Sequence, residues 1–509
     1  MSARTTLLIC AGLILVARGA RAGGACEVRV TGGVIAGRPD GPGAIFAGIP
    51  FAQPPVGKLR WKPPQDVIPW SGVRPAMEPG PDAIQPEAGW NHAMVLNSSE
   101  DCLYLNVIVP DWPATRRLPV VVFIHGGGNF AGGGWEHLIS GSTLQRRGVV
   151  QVTVTYRLGI LGFFAHPGLS RESPVRASGN YAILDQIAAL RWVRANISSF
   201  GGDPENVTLV GQSAGSYDIS LLMASPLARG LFAKAIEESG IGVGPPATNT
   251  LAQEEAAGSA LGASIDQLRA MSPQELLSTR KDWSMCFPDV DGWVFTEAPA
   301  ATFAAGREAA VPLLLGTNAR EMSFAGTPGA LRDAVAKQYG ERAAPALRLY
   351  GLDGIGSMPP ADPVMGDVGA QFMTDITFRA PTMIAADWHR SHGSAVWMYE
   401  FSRTPIGHES AGASHSSELP YVFGEMTPNP LGSDYNAADR RISAQMQGYW
   451  VNFASSGNPN GEGLPAWPPY ELSDRPFIEF TEAGTRTGHN LREPYSRFYG
   501  DWLDSQMAR

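Results

Sequence analysis

The chain has 509 residues, 44% hydrophobic and 17% charged, enough for a large folded core and too apolar for a disordered chain. Its formal net charge is −9 and it carries no basic run, which argues against nucleic acid as a partner.

At the start, Arg4 precedes an apolar stretch from Leu7 to Val16, and Ala20-Arg21-Ala22 closes it with small residues where a signal peptidase reads. This pattern predicts a secretory signal peptide over residues 1–22, an exported protein and one mature domain over residues 23–509. The stretch is too short for a membrane anchor, because a bilayer core takes about 20 apolar residues. No later segment is longer, so no stable membrane insertion is expected. Of the four cysteines, Cys10 leaves with the signal, and the odd set Cys26, Cys102 and Cys286 implies a free or intermolecularly paired thiol. No metal-ligand spacing is found among cysteines and histidines, so no metal is expected.

Residues 27 to 50 alternate as small antiparallel strands do, with turns at Gly32-Gly33 and Pro39-Asp40-Gly41. Gly48 to Trp61 is too proline-rich for regular structure and reads as a rigid surface loop. The irregular stretch from Trp70 to Ser99 is long enough to be functional. It contains Trp90, either a pocket wall or ordinary packing. Glu100 and Asp101 open a strand running to Pro110, and a structural role is preferred for them over acid–base work.

Pro119 to Ile124 is a buried strand leading directly into His125-Gly-Gly-Gly-Asn-Phe130. Three glycines let backbone N–H groups approach a reacting carbonyl oxygen, which makes this a candidate oxyanion loop. His125 is expected to anchor backbone. Another buried strand spans Val149 to Thr155, and apolar spacing predicts a helix over residues 180 to 199.

Val207 to Val210, then Gly211-Gln212-Ser213-Ala214-Gly215, then a helical segment, gives the order strand, sharp turn, helix. A serine on such a turn is held out above the sheet, and the flanking glycines are needed because a Cβ would strike the neighbouring strand or helix. Ser213 is therefore the candidate nucleophile. Residues 251 to 280 read as polar helices capping a sheet. Val311 to Leu315 forms a strand that runs into Gly-Thr-Asn-Ala-Arg-Glu321, where a carboxylate sits at the sheet edge used for sites in α/β folds. After a strand from Ala395 to Phe401 come His408 and His415, and chain order does not choose between them. Strands alternating with helices throughout predict an α/β fold with a mainly parallel, doubly wound sheet.

These stretches resemble the type B carboxylesterases, which include the cholinesterases and have the α/β-hydrolase fold. The resemblance covers residues 27 to 505, through Gly48–Pro64, Glu100–Val107, Val122–Phe130, Thr155–Phe163, Gly179–Gly215, Gly316–Phe324 and Gly412–Gly424. It implies Glu321 as the triad acid, His415 as the base, and oxyanion donors at Gly127, Gly128 and Ala214. It implies an Arg60–Glu100 ion pair, and it implies hydrolysis of small-molecule esters through an acyl-enzyme with no cofactor. A non-catalytic binding module of this fold would lack the serine, whereas here Ser213, Glu321 and His415 are all present. A specialised esterase for bulky natural-product esters keeps the same machinery. Three departures stand out. Ala83 replaces the cysteine that many members pair with the cysteine of Glu-Asp-Cys-Leu. Gln212 replaces the cholinesterase glutamate, weakening any case for cationic choline esters. Trp90 is displaced from the choline-stacking position.

Overall fold

The computed structural model describes residues 26–136, 142–244, 248–279, 287–354, 358–426 and 434–507. Residues 1–22, expected to be a signal peptide, and Cys286 lie outside them.

The chain enters through an antiparallel meander of β1 (Cys26–Val30), β2 (Gly33–Asp40) and β3 (Gly43–Pro50), as the alternation predicted. The sheet continues with β4 (Tyr104–Val109), β5 (Leu118–Ile124), β6 (Val150–Val154), β7 (Gly202–Gln212), β8 (Lys234–Glu238), β9 (Leu313–Asn318), β10 (Val396–Phe401), β11 (Pro476–Thr481) and β12 (Gly484–His489). Their spatial order is β1-β2-β3-β4-β6-β5-β7-β8-β9-β10-β11-β12. From β6 to β11 every pairing is parallel.

Four helices matter below: α1 (Tyr181–Asn196), α2 (Ala214–Ala224), α3 (Ile265–Ala270) and α4 (Ala437–Ser456). Strand residues alternate between two cores, because successive side chains leave opposite faces of a sheet. Val120, Val122, Leu209 and Leu313 pack with Ile187 of α1 and Ile219 of α2. Val121, Phe123, Val210 and Leu314 pack with Ile442, Met446 and Trp450 of α4. Helices therefore cover both faces, and β6, β8, β9 and β10 are buried at every residue, as interior parallel strands must be. The polar segment after residue 250 forms short helices at Leu251–Ser259, α3 and Pro273–Thr279, as expected.

The Gly48–Trp61 stretch departs from the surface loop expected of it. Phe51, Ala52, Arg60 and Trp61 are buried, and Trp61 donates its indole N–H to the Ile160 carbonyl at 2.8 Å. Arg60 holds both carboxylate oxygens of Glu100 at 2.6 Å and donates to the carbonyls of Leu268, Arg269 and Met271 at 2.8–3.2 Å. The ion pair implied by the resemblance is thus present, and it also ties α3 to the sheet domain. Glu100 is committed to that pair, in line with the structural role preferred for it. Cys102 is a buried free thiol, and it lines a small cavity together with Ala83, Arg60 and Glu100. Trp90 is 55% exposed, so it is not packed core.

Candidate active site

The residues singled out in the sequence converge at the carboxyl ends of four parallel strands. Ser213 follows β7 directly and caps α2 with φ 58° and ψ −124°, a backbone conformation an L-residue adopts only when its surroundings enforce it. Enforcement comes from both sides: Ser213 donates its N–H to the Glu238 carbonyl of β8 at 2.9 Å, and its own carbonyl accepts from Tyr217 at 2.9 Å. A Cβ on Gly215 would lie 2.0 Å from the Ile124 carbonyl of β5, and one on Gly211 would lie 2.6 Å from the Gly215 backbone. Strand and helix approach so closely here that only glycine fits at either position.

His415 lies in the loop after β10, with Nε2 2.8 Å from the Ser213 hydroxyl and Nδ1 2.7 Å from Glu321 Oε2. Glu321 stands just beyond β9, and its other oxygen accepts the Asn318 N–H at 2.7 Å. His415 also donates its backbone N–H to the Glu321 carbonyl at 3.1 Å, which fixes the two loops to each other. Burial works against the charged imidazolium, but the hydrogen bond and charge of Glu321 outweigh it and raise the His415 pKa above its ordinary value. His408 instead closes a turn, its carbonyl accepting from Ala411 and Gly412 at 3.0 Å. His415, and not His408, is thus the histidine that meets both Ser213 and Glu321.

The glycine loop leaves β5 alongside Ser213. Gly127 and Gly128 take positive φ values of 102° and 63°. Among the described residues, nothing accepts a hydrogen bond from the N–H groups of Gly127, Gly128 or Ala214. Three free backbone donors flanking a serine are what an oxyanion requires. His125 anchors backbone, as expected: its Nδ1 is 2.8 Å from the Gly126 carbonyl oxygen, its ring stacks on Tyr156 at 4.4 Å, and burial lowers its pKa to about 4, so it stays neutral. No group of three or more metal-ligating side chains occurs among the described residues.

Several supporting residues escaped the sequence reading. Gln85 accepts from the Gly132 N–H and donates to the Gly132 carbonyl, both at 2.9 Å, tying the 80–99 region to the glycine loop. Asn318 donates its side-chain amide to Glu418 at 2.5 Å and to the Ser414 carbonyl at 2.8 Å, bridging the acid and base loops. Burial, followed by the Glu321 charge, raises the Glu418 pKa. Asn129 donates to Asp218 of α2 at 2.9 Å. Asn129, Asn318 and Glu418 stand inside motifs quoted from the sequence, which was the available signal. Asp218 had none.

Comparison with known proteins identifies the family and the fold. The carboxylesterase family model matches residues 25–344 and 365–499. Fumonisin B1 esterase of Sphingopyxis macrogoltabida is 37% identical over 87% of this chain and 84% of its own. Para-nitrobenzyl esterase of Bacillus subtilis is 36% identical over 84% of this chain and 89% of its own. A solved PNB esterase superposes with a TM-score of 0.80 at 32% identity, covering 92% of this chain and 98% of its own. By family, by relatives and by the α/β-hydrolase fold it shares with them, the chain belongs to the carboxylesterase family and is a carboxylic ester hydrolase.

Proposed function

We propose that the protein is an exported serine carboxylesterase working through an acyl-enzyme, with Ser213, His415 and Glu321 as nucleophile, base and orienting acid. The 2.8 Å contact between Ser213 and His415 carries this reading. His415 takes the hydroxyl proton as Ser213 attacks the ester carbonyl, then returns it to the departing alcohol. Water enters by the reverse route and releases the acid. Glu321 holds the imidazole and stabilises its charged form. Gly127, Gly128 and Ala214 receive the oxyanion, each donor contributing roughly 3 kcal/mol to the transition state. No metal or organic cofactor takes part. Export rests on the signal-like residues 1–22 and directs the enzyme to extracellular or periplasmic esters.

A specialised substrate is a second reading, favoured by the 37% identity to a fumonisin B1 esterase. The 70–99 region and the helices after residue 250 then shape a pocket for a bulky ester. Gln212 leaves no charge beside Ser213, in keeping with an uncharged reacting end. A panel of short p-nitrophenyl esters against bulky polycarboxylate or polyketide esters, fumonisin B1 included, separates the two readings. In the same assay Ser213→Ala lowers kcat by about 10⁶ while the protein stays folded. Substantial activity in that variant would falsify the triad.

A further inference from the structure

The free N–H donors beside Ser213 come from two separate pieces of chain. Gly127 and Gly128 belong to the loop after β5, whereas Ala214 begins α2. Their mutual placement must be held to a fraction of an ångström if all three are to meet one oxygen.

One side-chain bond joins the two pieces close to the site. Asn129, the residue after the glycines, is buried with φ 58° and donates its amide to Asp218, one helical turn along α2 from Ala214, at 2.9 Å. Two further polar groups of Asn129 face neighbours. Its side-chain oxygen lies 3.3 Å from the Tyr156 hydroxyl oxygen, and its backbone carbonyl accepts from the Gly159 N–H at 2.7 Å. Tyr156 in turn donates to the His125 carbonyl at 2.7 Å, so both ends of the glycine turn are tied down.

Asp218 is fully buried and faces no cation among its hydrogen-bond partners. Its second oxygen accepts from Gln186 of α1 at 2.5 Å. Burial pushes its pKa up to about 7, against the bonds from Asn129 and Gln186. An acid buried without a counter-ion is costly. Here its two oxygens accept from two amide donors on different elements, which a neutral asparagine could do only by leaving one donor unmet or turning the other partner.

We propose that Asp218 is a positioning residue for transition-state stabilisation, setting the Gly127–Gly128 turn relative to Ala214 through its bond to Asn129. This rests on the reading of Ser213 and the three N–H groups given above. It concerns a bond that does not touch the substrate, so its effect falls on kcat rather than on KM.

The experiment uses the full mature chain, with p-nitrophenyl butyrate turnover and inhibition by an aryl trifluoromethyl ketone, whose serine adduct carries an oxyanion. Asn129→Ala and Asp218→Ala are each expected to lower kcat about 10- to 100-fold, with KM within about threefold and ketone affinity falling in parallel with kcat/KM. The double variant is expected to be no worse than the poorer single one, because both remove the same bond. The exchange Asn129→Asp with Asp218→Asn keeps a donor facing an acceptor and is expected to recover kcat to within about tenfold of the parent, while Asn129→Asp alone does not. Folded alanine variants with parental kcat and ketone affinity overturn the proposal, as does an exchange variant that folds but recovers nothing. If the alanine variants do not fold, the exchange variant decides. Loss of the proposal in this way leaves the Ser213→Ala result intact, whereas an active Ser213→Ala enzyme removes the reading beneath it.

Discussion

Gln212 brings its side-chain nitrogen to 3.4 Å from Nε2 of His415, the same ring atom that faces the Ser213 hydroxyl. An uncharged amide therefore stands where it meets the imidazole on its proton-accepting side. Gln212→Glu would place a carboxylate there and stabilise the imidazolium. The expected outcome is an acid limb of the pH–kcat/KM profile moved up by about 1 unit, with improved relative turnover of a choline ester over its neutral isostere. An unmoved limb would show that residue 212 does not sense the imidazole charge.

In the unsubstituted enzyme the base must be neutral to act, so kcat/KM falls as pH drops through the His415 pKa. Because Glu321 raises that pKa, the midpoint is expected above the ordinary histidine value of about 6.5. Glu321→Gln removes the support, so the midpoint moves down and kcat drops by about 10⁴, the scale seen when a triad acid becomes an amide. Rate profiles from pH 5 to 9 read both effects.

Ala83 and Cys102 line one small cavity, and the short strands Asp82–Ala83 and Ser98–Ser99 pair across the same loop. Ala83→Cys is expected to form a disulfide with Cys102 and to stabilise the fold by roughly 3 kcal/mol, the scale for closing a loop of this length. Thiol titration under denaturing conditions should count no more free thiols than in the parent less one. A count one higher than the parent means that the two positions do not meet.

Arg60 supplies donors to Glu100 and to three carbonyls in and just beyond α3. Arg60→Ala leaves that carboxylate and those carbonyls without their donors inside the protein, a loss of about 3–5 kcal/mol. Urea unfolding should show it. Glu100→Gln, which keeps an acceptor for Arg60, is expected to cost less, and equal losses would contradict the bridging role.

Several acids are held protonated by burial: Glu237 titrates at about 8 and Asp289 at about 9, each raised chiefly by desolvation. In the unfolded chain they titrate near 4. Between those values the folded state binds more protons, so stability is complete at the acid end and is lost as pH rises through the folded values. The unfolding free energy from urea titration is expected to fall between pH 7 and 9, by on the order of 1 kcal/mol per pH unit, and the urea midpoint falls with it. Acids with lowered pKa, such as Glu172 beside Arg269, are ionised throughout this window and do not oppose the trend. A flat or rising midpoint would refute the linkage.

The sheet and the residues nearest the chemistry were legible because each carries a local signature. Ser213 sits in a five-residue turn whose glycines are dictated by contacts at Gly211 and Gly215, and Glu321 follows a β-rich run by three residues. Choosing His415 over His408 took a family motif, since both occupy the loop after β10. The Gly48–Trp61 stretch was misjudged because proline content reports local backbone stiffness and says nothing of what packs above it; α3, some 200 residues on, buries Arg60. The bond between Asn129 and Asp218 was invisible for the related reason that it spans 89 positions, and only the closed fold brings the two side chains together.

Oxyanion loop, serine, acid and base ride on β5, β7, β9 and β10, which lie side by side apart from the intervening β8. In sequence they run from Gly127 to His415. A chain emerging from the ribosome therefore carries Ser213 early but lacks His415, its proposed base, until four-fifths of the protein has been made. If the proposed roles hold, no nascent chain short of His415 has its base, and recovered activity after refolding reports that β5, β7, β8, β9 and β10 have closed in register.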